Sequence, residues 1–254
     1  MEDAMYDPPG YLWAITIAVI TAIPAATCIV LYGGAMHVGL GRRRAAVLAG
    51  GAAAVLGGWF TASAVIAGHG WYHARFGHGV PWLPVAVAGF LGTLLALRRI
   101  PVVARALTAP GMLNRLELPH TFRVAEGAAF LATMFLGHLP ALFALPAGLG
   151  DITAGIAAPL VALRFAQGTG RAALWFNAFG ITDLIVALTL GALTGFQLLN
   201  VTPSGAPLSE LPLALIPTAA VPLLLALHIT SVVALRKTPR TPLPATTPLT
   251  AAAR

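Results

Sequence analysis

The sequence predicts an all-α polytopic membrane protein with seven transmembrane helices. Three observations support this fold class: 58% of the 254 residues are hydrophobic, 9% are charged, and the mean hydropathy is +0.84. Soluble domains carry roughly 25% charged residues, so this composition excludes a water-soluble globule. About 20 apolar residues cross a bilayer as a helix, and the chain has room for seven such segments with short connections.

Seven apolar segments, separated by Pro, Gly or basic residues, define the predicted helices. Pro8-Pro9-Gly10 favours a helix start just before the first segment, and Pro24 predicts a kink within it. Three prolines make the last segment irregular. The predicted segments cover approximately residues 11–32, 45–67, 81–97, a fourth beginning at 119 or 122, a fifth ending at 163, 174–199 and 211–235.

Basic residues determine the predicted threading. Arg and Lys are concentrated in alternate connections, which is the positive-inside bias of membrane proteins. The net charge of +7 therefore reflects the basic connections on one side of the membrane, and we expect no nucleic-acid partner. The pattern predicts a multi-pass protein of the cytoplasmic (inner) membrane with its N-terminus outside and its C-terminus in the cytoplasm. The basic connections contain Arg42, Arg43, Arg44, Arg98, Arg99, Arg105, Arg115, Arg164, Arg171, Arg236, Lys237 and Arg240.

The chain divides into one transmembrane domain and two tails. Residues 1–10 form an acidic extracytoplasmic tail, and residues 11–236 form the seven-helix domain. Within this domain, residues 98–118 are basic and half apolar, which is typical of a short amphipathic helix on the cytoplasmic surface. Residues 237–254 are rich in Pro, Thr and Ala and lack an apolar face, so we predict a disordered cytoplasmic tail.

The connection between the fourth and fifth segments allows two interpretations. If Gly137-His138-Leu139-Pro140 forms the outer turn, Asp151 lies inside the fifth helix, in the middle of the membrane. If residues 146–150 form the turn, Asp151 is instead the N-cap of that helix at the outer surface. Two glycines and a proline before an acid are also typical of the broken helices that build substrate sites in transporters.

Ionisable residues inside apolar segments are the first candidates for function. A charge at the centre of a membrane helix costs at least about 2.5–3.5 kcal/mol, so such residues need partners or water. Arg123 and Glu126 are three residues apart and can pair along one helix. Asp151 and Asp183 complete the predicted set of intramembrane charges. We expect Glu126 and Asp183 to exchange protons, and Arg123 to set the local electrostatic field.

Two uncharged residues extend this candidate site. Asp183 lies near the middle of the sixth segment, and helical spacing places Asn177 on the same face. Asn177 and Asp151 are therefore candidates for substrate binding. His228 lies deep in the seventh segment, where it is a candidate proton relay or ligand. The predicted ion- or substrate-binding residues are Arg123, Glu126, Asp151, Asn177, Asp183 and His228.

The four residues Gly148-Leu149-Gly150-Asp151 resemble the G-x-G-D motif of intramembrane aspartyl proteases and prepilin peptidases. The resemblance implies a catalytic dyad in which Asp151 and a second aspartate on a neighbouring helix share a proton and activate water. Asp183 is the candidate second aspartate. In those families the other aspartate precedes the motif, whereas Asp183 follows it.

The histidines suggest a third class of function. Two histidines from different segments are able to ligate haem, which would make the protein an electron carrier. His69 and His73 are four residues apart and would share a metal ion if that stretch were helical. No lysine lies within a predicted segment, so a retinal Schiff base is excluded. The sequence identifies no cofactor.

These features favour a small permease or a proton- or ion-coupled transporter that uses intramembrane carboxylates. The alternatives are an intramembrane aspartyl hydrolase, a haem-binding electron carrier and a structural subunit of a membrane complex, and transport is favoured over an enzyme. The expected partners are the lipid bilayer, a small solute or proton, and further copies of the chain in a homo-oligomer.

Overall fold

The computed structural model describes residues 8–73, 80–109, 111–166 and 170–237, and the described residues form helices and connections without a strand. Both predicted tails lie almost wholly outside this part of the chain, since residues 1–7 and 238–254 are not described. The α-helices of the described part are α1 (Gly10–His37), α2 (Gly41–Gly68), α3 (Trp82–Leu97), α4 (Pro101–Leu107), α5 (Arg123–Phe135), α6 (Ala141–Ala166), α7 (Gly170–Gly195) and α8 (Val221–Lys237).

Two short 3-10 helices and one π-helical turn complete the described fold. A 3-10 helix over Arg115–Phe122 leads directly into α5, and we call these eight residues the 3-10 segment. A single 3-10 turn covers Ala206–Ser209 in the long connection after α7. A π-helical turn over Ile216–Ala220 leads into α8.

The all-helical class is confirmed for the described residues, and the length and composition of the helices support a membrane protein. Five helices of the described part are long and apolar enough to cross a membrane, and a sixth span results if α3 and α4 count as one path bent by 89°. Large apolar side chains lie on the outside of the bundle, among them Ile29, Val47 and Trp175, which are 71%, 69% and 73% exposed. Such a surface suits lipid and not water. The seven-helix count and the orientation of the termini stay predictions.

The centre of the bundle is α8 with the π-helical turn before it. Of an apolar 18-residue stretch within Ile216–Arg236, 78% is buried inside the protein, whereas the share for the corresponding stretch of α2 is 11%. Pro222 has no backbone N–H, so the carbonyl of Thr218 loses its helical donor. The indole Nε1 of Trp59 on α2 donates to that carbonyl at 2.9 Å, which fastens α2 to the irregular start of the central helix.

The connection between α5 and α6 decides between the two interpretations of Asp151. Gly137 follows α5 with φ +77, and its N–H donates to the carbonyl of Met134 at 2.8 Å. The N–H of His138 donates to the carbonyl of Thr133 at 3.0 Å, which completes a Schellman motif. The turn therefore lies at residues 136–140.

Asp151 lies inside a continuous helix. It comes ten residues after Ala141, the first residue of α6, and α6 runs unbroken through Pro146 and the two glycines before Asp151. The N-cap interpretation and the broken-helix interpretation of this stretch are therefore wrong. Pro146 removes one backbone hydrogen bond of α6, but the residues on both sides of it keep a helical backbone.

Residues 98–118 are partly buried against the rest of the bundle and do not only lie on its surface. They contain α4 and the start of the 3-10 segment, and Leu107, Met112 and Leu116 are buried. The backbone of α4 at Ala106 lies so close to α1 that a Cβ on Gly34 would overlap the Ala106 carbonyl oxygen. The position of this segment at the cytoplasmic membrane surface stays a prediction.

The contact of α4 with Gly34 gives a test of the fold. Gly34→Ala should lower the stability by about 1–3 kcal/mol, because the added methyl group pushes two backbones apart. Thermal unfolding in detergent measures the effect. Gly33→Ala is the matched control, since its methyl group would lie 3.6 Å from the Arg115 side chain in ordinary contact. Equal melting temperatures of the two variants would contradict the close packing of α1 and α4.

Candidate functional site

Four ionisable residues line one side of the 3-10 segment and the start of α5. Glu117, His120, Arg123 and Glu126 follow one another at intervals of three residues, and each is at most 1% exposed. A 3-10 helix has three residues per turn, so residues three apart lie directly above one another. The 3-10 segment and the first turn of α5 therefore present two acids, a histidine and an arginine as one column toward the bundle interior.

Arg123 forms ion pairs with two neighbouring helices. Its Nε donates to Oδ1 of Asp151 on α6 at 2.8 Å, and its Nη2 lies 2.7 Å from the same oxygen. Nη2 also donates to Oδ2 of Asp183 on α7. Glu126 lies within electrostatic reach of all three groups. We call these four residues the ion cluster.

Glycines allow the helices of the ion cluster to approach one another. A Cβ on Gly150 would overlap Oδ1 of Asp183, so α7 can place its carboxylate against α6 only where α6 lacks a side chain. A Cβ on Gly127 of α5 would overlap the carbonyl oxygen of Gly148 and lie 3.0 Å from Cβ of Asp151. The Gly-x-Gly-Asp sequence is thus explained by helix packing around the ion cluster.

The ion cluster contains more acids than bases. Three carboxylates surround one guanidinium, which gives a net charge of −2 if all four groups are ionised. Both carboxylate oxygens of Glu126 and Nη1 of Arg123 are buried and have no hydrogen-bond partner among the described residues. Burying an uncompensated charge is costly, so the two excess negative charges require at least one proton or other cation.

A second polar cluster adjoins the first, and we call it the histidine cluster. Asn177 of α7 donates from Nδ2 to Oε1 of Glu117 at 2.8 Å, and Ser231 of α8 donates to the same oxygen at 2.7 Å. Nδ1 of His228 lies 2.8 Å from Oδ1 of Asn177. The rings of His120 and His228 are stacked, with centroids 3.8 Å apart and planes inclined by 24°. The cluster consists of Glu117, His120, Asn177, His228 and Ser231, all buried.

The two clusters form one polar region. His120 precedes Arg123 by one turn of the 3-10 helix, and both stacked histidines lie within electrostatic reach of the guanidinium. A Cβ on Gly180 of α7 would overlap Nε2 of His228, so this glycine makes room for the imidazole. Arginine, carboxylates and imidazoles are thereby packed together in the interior of an apolar bundle.

A cavity of about 890 Å³ leads from one end of the bundle to the ion cluster. Its deep part is lined by Phe130, Phe143 and Leu184, and Asp151 also lies in its wall. None of the five residues of the histidine cluster lines this cavity, so the cavity reaches the polar region from the ion-cluster side.

Polar residues from two loops line the mouth of the cavity. His73 is exposed and Glu210 is half-buried there, with Nε2 of the imidazole 3.6 Å from Oε1 of the carboxylate. Burial raises the pKa of the Glu210 carboxyl, and His73 opposes this shift by favouring the ionised form. The mouth therefore carries an acid and an imidazole that face each other across two loops.

The structure distributes the six predicted site residues over both clusters. Four of them lie together in the ion cluster, and the other two, Asn177 and His228, are hydrogen-bonded to each other in the histidine cluster. The sequence interpretation missed three members of the histidine cluster, namely Glu117, His120 and Ser231. The three-residue spacing from Glu117 to Glu126 was the signal that could have identified the first two.

The predicted metal pair His69 and His73 does not form on a helix. Helix α2 ends at Gly68, and Nδ1 of His69 lies 2.8 Å from the carbonyl oxygen of Val65. His73 faces Glu210 across the cavity mouth. The spacing of four residues therefore does not bring the two imidazoles onto one helical face.

Two alternative functions find no support in this geometry. The guanidinium of Arg123 lies between Asp151 and Asp183 and pairs with both, whereas an aspartyl dyad needs two carboxylates that share a proton directly. A haem lies between its two axial imidazoles, whereas the rings of His120 and His228 are in direct contact.

The chain belongs to the domain family DUF8737, which is described as a domain of unknown function and matches residues 80–236. The matched part begins before α3 and includes every residue of both clusters. No curated protein and no solved structure matches the chain. The family assignment thus places the two clusters inside a recurring domain but supplies no activity.

The ion pairs of Arg123 give a second test. Arg123→Gln should destabilise the protein by about 3–5 kcal/mol, because it leaves Asp151 and Asp183 buried without a counter-charge. Adding Asp183→Asn should restore part of the loss, since one of the unpaired charges is removed. Thermal unfolding in detergent measures both effects. Arg115→Gln, at an exposed arginine of the same segment, is the control. An equal shift for the two arginine variants would contradict the ion cluster.

Proposed function

We propose that the protein is a proton-coupled membrane transporter in which the carboxylates of the ion cluster bind and release protons. The observation that carries this proposal is the excess of buried acid: three carboxylates around one arginine, with one of them in the wall of a cavity. Intramembrane carboxylates with incomplete pairing mark proton relays and ion paths in transporters.

Seven crossings are part of this proposal. The 3-10 segment and α5 together reach about 35 Å if they run in line, which is sufficient for a hydrocarbon core of about 30 Å. Their packing supports this: a Cβ on Gly155 of α6 would lie 2.7 Å from the backbone N of Val124 and 3.1 Å from the carbonyl oxygen of Thr121. The hairpin partner of α6 therefore continues beyond α5 into the 3-10 segment.

The proposed orientation places the basic helix ends in the cytoplasm. Arginines lie at the start of α2, after α3, and at the facing ends of α6 and α7. The positive-inside bias assigns these helix ends to the cytoplasmic side of the cytoplasmic membrane. The cavity mouth, which is formed by the loops after α2 and after α7, then opens to the outside.

Proton exchange begins at Asp151 in this account, because Asp151 is the ion-cluster residue that lines the cavity. When Asp151 accepts a proton, Arg123 loses one of its two anionic partners, and the contact between α5 and α6 weakens while its pairing with Asp183 remains. Glu126 holds the excess proton of the cluster, since both its oxygens are buried and have no partner among the described residues. The loss of the Arg123–Asp151 ion pair thereby couples proton binding to a movement of α6 relative to α5.

The histidine cluster continues the path toward the cytoplasmic side. His120 stacks on His228, and His228 is connected through Asn177 to Glu117. His120 and His228 carry unpartnered ring nitrogens and Glu117 carries an unpartnered carboxylate oxygen among the described residues, so the histidine cluster provides polar sites beyond the ion cluster. The transported solute occupies the cavity, whose apolar walls favour a molecule with an apolar body.

Proteoliposomes with a trapped pH-sensitive dye test the proposal. An outside acid step is applied together with amino acids, sugars, organic acids or organic cations, one class at a time. We expect one class to accelerate internal acidification in the wild type. Asp151→Asn should abolish this acceleration because it removes the carboxylate that faces the cavity.

Thr153→Val is the matched control, since Thr153 lies two residues further along α6 with an exposed side chain. It should acidify at the wild-type rate. Wild-type vesicles that move no protons with any solute class, or Asp151→Asn vesicles that behave like Thr153→Val vesicles, would contradict the proposed function.

A further inference from the structure

The histidine cluster contains three potential metal ligands that lie close to one another. One donor atom each from Glu117, His120 and His228 lies within 4.8 Å of the other two, and all three residues are at most 1% exposed. Oε2 of Glu117, both nitrogens of His120 and Nε2 of His228 have no hydrogen-bond partner among the described residues. Polar atoms this deeply buried normally have partners, so four such atoms in one place require an explanation.

The hydrogen bonds of Asn177 determine which nitrogen of His228 carries a hydrogen. Nδ2 of Asn177 faces Oε1 of Glu117 and the carbonyl oxygen of Ala173 at 2.8 and 2.7 Å. The carbonyl oxygen of Ala173 can only accept, so this atom is the amide nitrogen and Oδ1 faces His228. Nδ1 of His228 must then donate, which leaves a free lone pair on Nε2. A histidine ligand in proteins has this arrangement, with its other N–H donated to a carbonyl or carboxylate.

Glu117 is oriented in the same manner. Its Oε1 accepts from Asn177 and from Ser231, so the carboxylate plane is held by two donors on two helices. Its Oε2 remains free for another partner. One amide thus fixes a carboxylate and an imidazole at the same time, and each keeps one unused donor atom.

His120 supplies the adjustable third ligand. Its ring makes no hydrogen bond within the described residues and is held by stacking on His228. Bonds of 2.0–2.1 Å in a tetrahedral site bring ligand atoms to about 3.4 Å from one another, so the ligand set must contract. Rotation of His120 away from the stacked arrangement achieves this without breaking a hydrogen bond.

We infer that Glu117, His120 and His228 bind one divalent transition-metal ion between the 3-10 segment and α8. Two imidazole nitrogens and one carboxylate oxygen suit zinc and its first-row neighbours, and they do not suit calcium or magnesium, which prefer oxygen ligands alone. The ion would link Glu117 and His120 of the 3-10 segment to His228 of α8. The inference does not rest on proton exchange at the ion cluster; with the ion bound, these three residues act as ligands and not as part of the proton path.

Cobalt binding to the purified protein tests the inference. The full chain is purified in detergent through a tag without histidine, stripped with a chelator and titrated with Co²⁺. We expect one Co²⁺ per chain with the visible absorption of four- or five-coordinate cobalt, displaced by Zn²⁺. Zn²⁺ should also raise the melting temperature of the wild type, because it binds the folded state.

Variants assign the ion to the cluster. His120→Ala removes a ligand that makes no hydrogen bond, so the chain should fold and lose the cobalt spectrum. Ser231→Ala keeps all three ligands but removes one donor to Glu117, and it should weaken binding about 10–100-fold. His73→Gln, at the cavity mouth, is the control and should bind as the wild type does.

Three results would overturn the inference. They are a wild-type spectrum typical of hydrated octahedral Co²⁺, an unchanged melting temperature with Zn²⁺, or equal affinity of wild type and His120→Ala. The first two measurements use the wild type alone, so they decide the question even if a variant does not fold.

Discussion

The burial of Arg123 between the carboxylates of two other helices is the constraint on which the interior of this protein depends. A guanidinium inside an apolar bundle is stable only if anions and hydrogen-bond acceptors surround it. Asp151 and Asp183 fulfil this requirement from α6 and α7. Their helices must come close, and the glycines at 127 and 150 provide the space. The ion pairs of Arg123 thus explain where α5 and α6 lack side chains.

The fold class and the charged residues of the site could be predicted because they depend on composition and on the cost of charge in a membrane. Asp183 was identified from its depth in an apolar segment, and Asn177 from helical spacing on the same face. The depth of Asp151 was undecided, because Pro146 and two glycines predict a turn as readily as a tightly packed helix. The turn at residues 136–140 and the continuous helix α6 decide this point, and the glycines are explained by contacts with α5 and α7 that a single segment does not reveal.

Glu117 and His120 were missed for a different reason. An α-helix turns by about 100° per residue, so residues 117 and 123 would lie about 120° apart around its axis. The 3-10 helix turns by about 120° per residue and brings both to the same side. Pro119 lies within this helix and cannot donate a backbone hydrogen bond, which is compatible with the local departure from α-helical winding. The interior column follows from this local geometry.

The two clusters give the bundle a continuous polar interior reached from one end. The cavity leads to Asp151, the ion cluster adjoins the stacked histidines, and the histidine cluster ends at Glu117. Helix α8 supplies His228 and Ser231 and is also the most enclosed helix. Its irregular start, where Trp59 replaces the helical donor of Thr218, fixes the position of these side chains relative to α2. Packing of the central helix and alignment of the polar groups are therefore coupled.

The central claim is that the ion cluster holds more acid than its arginine can neutralise, and that Glu126 carries the excess proton. Infrared difference spectroscopy of the wild type and Glu126→Gln at neutral pH measures this proton directly through the C=O stretching band of a protonated carboxyl group. We expect the band in the wild type and its loss in the variant. A wild-type spectrum without that band, or a band that persists in Glu126→Gln, would contradict the account.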